Sequence, residues 1–320
     1  DAGHDVTGVT LKLWGGDSDS GCCSVADVED ARRVAQQLDL AHYVFNLTDE
    51  FDGRVVDPYV AAYAAGRTPN PCVECNRSIK WGLLLERCRA MGFDALATGH
   101  HARVERDDAG RSWIRRGADP AKDQSYVLSV LPGDAVGDTL LPVGDLTKAE
   151  VRERAAALGL RTATKAESMD VCFIRRDERG SFLQGRLPAA PGVVVDVDGA
   201  PLGEHDGVAG FTIGQRRGTG VAAGERRYVV DLDAATATVV LGTRADLLRD
   251  RIDLVGFAPV HDALPVGSRV LVQTSAHGEP VAATLEGSSV RLDTARPRVA
   301  PGQVVALYVG DRVVAGAYAG

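Results

Sequence analysis

The spacing of apolar positions changes character several times along the chain. Residues 5–14 alternate towards a strand, as extended backbone does when it buries one face. VADVEDARRVAQQL then takes helical spacing, and Ser24 with Asp27 reads as a capping box that opens this helix. Residues 40–47 return to a strand, so the chain begins strand, helix, strand. Residues 49–66 are helical, TPNP breaks the pattern, and CVECNRSIKWGLLLERCRAMG restarts a helix that ends at Gly92. FDALATGHH reads as a buried strand. Thr147 and Glu150 form a second capping box before KAEVRERAAALGL, which closes at Gly159. This alternation predicts an α/β half with a parallel sheet and helices on both faces.

Beyond about residue 180 the texture becomes β. VVVDVDG, RYVVDLD, ATVVLG, RVLVQT and VVALYV are short β-branched runs separated by Gly, Pro and Asp turns. One boundary falls near Gly180 and another near Leu248, giving domains of 1–180, 181–248 and 249–320.

Composition narrows the class. At 320 residues several cores are expected, and 45% hydrophobic with 25% charged residues is ordinary for a globular protein. No apolar run is long enough to span a bilayer, so no membrane partner is expected. The chain starts at Asp1 without the basic and apolar stretches of a signal peptide, and reads as a cut start. Six cysteines do not make a dense disulfide pattern, which points to a reducing, cytoplasmic setting. A net charge of −8 repels a polyanion, so nucleic-acid contact needs a local patch. Arg175, Arg176, Arg179 and Arg186 offer one, and Arg216, Arg217, Arg226 and Arg227 another.

The chemistry concentrates in TPNPCVECN, residues 68–76. Cys72 and Cys75 fall three apart at a helix start, hence on one face, where free amides and the helix dipole favour thiolate over thiol. Alone, a C-x-x-C is half a zinc site, a redox dithiol or two packed small side chains, and no second C-x-x-C accompanies it. Cys172 stands beside Phe173 and Ile174 in SMDVCFIRR. By itself it reads as a buried small hydrophobe, the class in which Cys22, Cys23 and Cys88 also fall.

DxFxxxVVxPYVxAYxxGxTPNPCxxCN, from Asp49 to Asn76, is followed in order by LATGHHAR, KDQSYVL, LPVGDLTKAEVR, SMDVCFI and GFTIGQRRGTG. Over nearly its whole length the chain resembles the tRNA-specific 2-thiouridylase family. The resemblance implies an adenine nucleotide alpha hydrolase-like (PP-loop) domain, a small central β-rich domain and a C-terminal β-barrel. It implies a sulfurtransferase that uses ATP with Mg2+ to replace the C2 oxygen of the wobble uridine of tRNA through an adenylated intermediate. Cys75 matches the family's nucleophile and Cys172 the persulfide carrier, loaded by an upstream sulfur-relay protein or cysteine desulfurase. Asn70, Pro71 and Cys72 fall where the family contacts the target base, and Gly99, with the backbone near Leu11, where it contacts ATP. Lys122, Asp123 and Gln124 match a tRNA-contacting segment, with Gln273 and Thr274 aligning to another. Gln215, Arg216 and Arg217 in their Gly-rich turn are expected to reach tRNA phosphates.

Two departures qualify the match. Cys72 stands where many members carry Asp, so a general-base role does not transfer; instead Cys72, Cys75 and Cys172 supply three thiolates, enough for a four-iron four-sulfur cluster with one open iron. Persulfide and cluster chemistry therefore compete for the same residues. The family's SGGxDS phosphate loop has no match: residues 14–20, WGGDSDS, lack its order and read as a loop. The motif is expected in roughly the 20 residues before Asp1, and the chain as given is expected to hold tRNA better than ATP. The alternatives are another PP-loop ATP pyrophosphatase, since LPVGDLTKAEVR resembles a segment of amidating synthetases, and a non-catalytic tRNA- or iron–sulfur-binding fragment.

Overall fold

The computed structural model describes residues 3–14, 25–165, 171–174, 178–221 and 226–320. The expected cap at Ser24, the loop beyond Trp14, Cys22, Cys23, Arg175 and Arg176 lie outside these residues. Strands Thr7–Lys12 and Ala41–Asn46 pair in parallel, Thr7 opposite Ala41 and Lys12 opposite Asn46. The helix Val25–Gln37 connects them, as parallel pairing requires a crossover. Among the described residues Leu96–Ala97 pairs in parallel with Thr139–Leu140 as a separate two-stranded sheet.

The expected buried strand FDALATGHH is thus reduced to two residues. Its partner is equally short, the pairing ends with the Thr98 amide donating to the Leu140 carbonyl at 3.1 Å, and Phe93 and Ala97 are exposed beside buried Leu96. The expected capping box of Thr147 and Glu150 is present in both directions, and Gly159 ends that helix at φ +66°, where a Cβ would be strained.

The helices over 48–64 and 71–90 are continuous but contain wide turns. The Asp57 amide reaches back to the Asp52 carbonyl, and the Leu85 amide to that of Lys80, five residues in each case. Such insertions re-aim the side chains that follow them and recur at functional sites. In the second helix the wide stretch begins at Cys75 and buries Cys75, Asn76, Ile79, Trp81 and Leu84.

A four-stranded sheet in the middle of the chain runs, across the sheet, Pro201–His205, Gly192–Asp196, Thr238–Gly242, Tyr228–Asp233, around fully buried Val194, Val229, Val239 and Leu241. Six C-terminal strands close into a barrel because Leu248–Pro259 pairs with both Ser289–Pro297 and Arg312–Ala319. The strand Val304–Val309 is buried at every position but the last: one face fills the barrel and the other meets Val73, Trp81 and Leu84 of the long helix in a single core.

The sequence pattern did not disclose the hairpin Ala102–Arg106 and Ser112–Arg116. It belongs to the first half of the chain but extends the barrel sheet, Arg115 lying opposite Arg312. Gly110 turns it at φ +77°, and Asp107 Oδ1 accepts the amides of Ala109 and Arg111. No helix among the described residues is long and apolar enough to cross a membrane.

Candidate functional site

Asn70 opens the helix of the cysteine motif. Its Oδ1 accepts the amides of Cys72 at 3.1 Å and Val73 at 3.3 Å, and Pro71 at the first helical position has no amide to leave unpaired. The expectation of free amides beside the thiols is corrected: the Asn70 side chain occupies them. The two thiols differ in burial. Cys72 is exposed, whereas Cys75 is 7% exposed. Three residues of helix leave side chains about 60° apart, and the limit of burial falls between them.

Cys75 lies in an apolar cluster with Leu47, Phe51, Tyr59, Ile79 and Phe173, against which Cys172 packs half-buried. Cys172 rides on a turn in which the Ile174 amide donates to the Val171 carbonyl at 3.2 Å. Phe173 anchors this turn, its ring 5.8 Å from Trp14, 5.6 Å from Phe51 and 5.5 Å from both Tyr59 and Phe182. The fold therefore brings together two cysteines distant in the sequence of the first domain and leaves Cys88 in a different core. Burial pushes the Cys88 thiol up, the wrong direction for a nucleophile.

Among the described residues, no three His, Cys, Asp or Glu side chains form a group that could hold a metal ion. Cys72 is exposed, Cys172 half-buried and Cys75 buried.

Gly99 is exposed on the loop following Leu96–Ala97, and Leu11 is half-buried near the end of its own strand. Both mark carboxyl ends of parallel strands, where α/β folds bind ligands. Next to Gly99, His100 Nδ1 is 2.8 Å from Thr98 Oγ1, and its ring is 5.3 Å from Trp81. The Trp81 indole N–H donates to Thr139 Oγ1 at 2.6 Å. Burial first, then Lys80 and His101, hold His100 down at about 3. Between that value and the ordinary 6.5 the unfolded chain binds a proton that the folded one does not, so stability rises with pH through this window and is lost as pH falls. His100→Gln is expected to flatten that acid limb, measured as urea midpoints from pH 7 to 4; an equally steep decline in the variant would refute the assignment.

The remaining candidates divide. Asp123 accepts from Arg116, the Gly117 amide and both the amide and hydroxyl of Ser125. Gln124 exchanges two hydrogen bonds with the His101 backbone, each 2.9 Å. Gln273 is 3% exposed, accepting from Arg116 at 2.8 Å and donating to the Ser275 carbonyl at 2.9 Å. The side chains of Asp123 and Gln273 are thus engaged within the protein, whereas Gln124 is exposed with, among the described residues, only its Oε1 engaged by the His101 amide, and Lys122 and Thr274 are half-buried beside them.

Gln215 likewise folds its own turn, accepting from the Thr212 amide and donating to the Arg217 carbonyl, each at 3.0 Å. Gly214 and Gly218, at φ +85° and +73°, permit that turn. Arg216 and Arg217 project from it exposed and without an ion pair among the described residues, while arginines such as Arg269 and Arg291 are paired with Asp293 and Glu286. The same turn, through Gly218, Thr219 and Gly220, walls a cleft of about 610 Å³ against Leu183 and Gln184.

Two further residues bear on this cluster. Asn76 is 2% exposed and donates to the Val127 carbonyl at 3.1 Å, tying the cysteine helix to residues 125–128; its Oδ1 has no partner among the described residues. Arg186 lies 3.9 Å over the Phe182 ring, which places a cation at the edge of the aromatic group around Phe173.

Three family profiles tile this architecture. One described as "tRNA methyl transferase HUP domain" matches residues 1–176, one described as "tRNA methyl transferase PRC-barrel domain" matches 180–243, and one described as "Aminomethyltransferase beta-barrel domain" matches 262–318. Fold and profiles together define a protein of the tRNA-modifying class, with a HUP domain followed by two small β domains. Its relatives include the tRNA-specific 2-thiouridylase MnmA of Chloroflexus aggregans, 42% identical over 330 residues, or 99% of this chain and 92% of that protein. That of Moorella thermoacetica is 43% identical over 334 residues, with the same two coverages of 99% and 92%. That of Mycolicibacterium gilvum is 46% identical over 336 residues, again 99% and 92%. The chain belongs to the tRNA-specific 2-thiouridylase family, whose members are tRNA sulfurtransferases.

Proposed function

We propose that this chain thiolates C2 of the wobble uridine of tRNA at the Cys75–Cys172 cluster, with ATP as activator and persulfide as the sulfur source. The observation that carries the reading is the meeting of these two cysteines, distant in sequence, in one apolar cluster from which Cys88 is excluded. An amide-like oxygen leaves poorly until esterified, so uridine O2 attacks the α-phosphate of ATP, pyrophosphate departs and N3 gives up its proton. The outer sulfur of a Cys172 persulfide then attacks C2, and AMP leaves with the old oxygen. Cys75 thiolate attacks Cys172 Sγ, forming a disulfide and leaving sulfur on C2 as N3 regains a proton. A thiol reductant restores both thiols. Apolar walls around the pair keep water from the persulfide.

The base would lie against Asn70, Pro71 and Cys72 at the head of the same helix. ATP with Mg2+ would sit at the strand ends beside Gly99 and Leu11. Sulfur would reach half-buried Cys172 from a relay protein or cysteine desulfurase, in the cytoplasm where thiols stay reduced. The test supplies unmodified tRNA, ATP, reductant and a persulfide donor, with 2-thiouridine read by mass spectrometry of the digested nucleosides. Thiolation that proceeds equally without ATP would overturn the scheme, and iron with sulfide in stoichiometric amounts after anaerobic purification would favour the cluster instead.

Arg216 and Arg217 support tRNA binding because both are exposed on a pinned turn with no acidic partner among the described residues. Changing both to Ala is expected to weaken tRNA binding and to lower the slope of log K against log salt by roughly 2. An unchanged slope would remove them from the interface.

A further inference from the structure

Two segments that take no part in the cysteine cluster meet at one guanidinium. Arg116 ends the hairpin that extends the barrel sheet. Its Nη1 donates to Asp123 Oδ2 at 2.8 Å and its Nη2 to Gln273 Oε1 at 2.8 Å, while the group lies 4.0 Å from the centre of the Tyr308 ring. Its backbone is held as well: the amide donates to the Asp311 carbonyl at 2.9 Å, and the carbonyl accepts from Arg103 Nε at 2.7 Å. Beyond Asp123, the Ser125 hydroxyl lies 3.1 Å from the Tyr308 hydroxyl. Beyond Gln273, the side-chain amide donates to the Ser275 and Ala276 carbonyls. One planar fork therefore sets the loop at 122–125 of the first domain against the loop at 273–276 of the barrel.

We propose that Arg116 is a positioning residue for tRNA. It touches no nucleic acid, but its two donors hold residues 122–125 and 273–276 in one register, so that Lys122 and Thr274 present a continuous surface across the domain boundary. The proposal rests on the tRNA reading above. A fork with two fixed N–H directions specifies such a register, whereas a point charge does not. The barrel does not depend on this contact for its attachment. At the far end of the hairpin His261 Nε2 lies 2.7 Å from the Ser112 carbonyl, the His261 and Trp113 rings are 4.5 Å apart, and Arg111 pairs with Asp262. Loss of Arg116 frees the two loops without releasing the barrel.

The experiment measures tRNA Kd, tRNA KM, kcat and melting temperature for Arg116→Ala, Arg116→Lys, Gln273→Ala and a control, Arg111→Ala, which breaks the far end of the same hairpin. Losing charge-assisted bonds on both sides is expected to raise Kd and KM about tenfold in Arg116→Ala. Arg116→Lys and Gln273→Ala should rise several-fold, with kcat at saturating tRNA within about twofold of wild type. The control should lose melting temperature but keep wild-type KM, which separates positioning from stability. Should Arg116→Ala fail to fold, the Lys variant and Gln273→Ala carry the same comparison, since Gln273 is too buried to touch tRNA itself. Rises in KM no greater than that of Arg111→Ala, or a fall in kcat at unchanged KM, would overturn the proposal alone. A wild-type protein without tRNA affinity would overturn the functional reading and this one with it.

Discussion

Cys75→Ser and Cys172→Ser are each expected to abolish sulfur transfer to tRNA, a loss of roughly a thousandfold or more, while Cys88→Ser is expected to stay within about twofold of wild type. The reason is chemical. A serine hydroxyl neither carries a persulfide nor opens one, and in the proposed scheme each cysteine does half of a single exchange, so either loss would stop the whole. Both lie at the cluster of Phe51, Tyr59 and Phe173, and Cys88 does not. Cys72→Ser distinguishes the two sulfur chemistries. The persulfide route retains most of its rate, because exposed Cys72 is no part of the exchange, whereas a three-cysteine cluster would lose its ligand set. The measurement is 2-thiouridine formed per enzyme with the persulfide donor in excess. Full activity in Cys172→Ser with that donor would remove the carrier role from Cys172.

Phe173→Ala has the second large effect, and it acts on stability and chemistry together. The side chain is 2% exposed and its ring meets four aromatic neighbours, so truncation leaves a cavity that four rings cannot close. Changes of this type cost about 3–5 kcal/mol, a large part of the 5–15 kcal/mol that holds a typical domain. Phe173 is also the anchor of the turn carrying Cys172, whose backbone is otherwise closed by the bond from the Ile174 amide to the Val171 carbonyl. Thiolation is therefore expected to fall at least tenfold even at temperatures where circular dichroism shows the protein folded. Phe173→Leu, which refills most of the space, should recover the greater part of both. Wild-type thiolation by a folded Phe173→Ala protein would show that the anchor is dispensable.

The expectation of an α/β half followed by a β half rested on spacing within stretches of a dozen residues. It holds because a helix or strand is committed by which of its own faces is apolar and by caps a few residues away. Thr147 with Glu150, and Gly159 at φ +66°, are such local decisions. The cysteine motif and its place at a helix start were legible for the same reason.

What tertiary structure alone decided concerns pairings between distant segments. The hairpin Ala102–Arg106 and Ser112–Arg116 looks like any short turn-linked pair, and only contact with Arg312 makes it part of the barrel sheet. FDALATGHH is apolar enough for a buried strand, yet its partner offers only Thr139 and Leu140 to pair with. Asp123 and Gln273 carry polar side chains of the kind that contact nucleic acid, but Arg116 draws both inward. Cys72 and Cys75 share a motif and differ in burial because the apolar cluster reaches one and not the other. In each case the side chain's own chemistry leaves the outcome open, since the stabilisation from burial or from a hydrogen bond depends on a partner that the chain supplies only after folding back on itself.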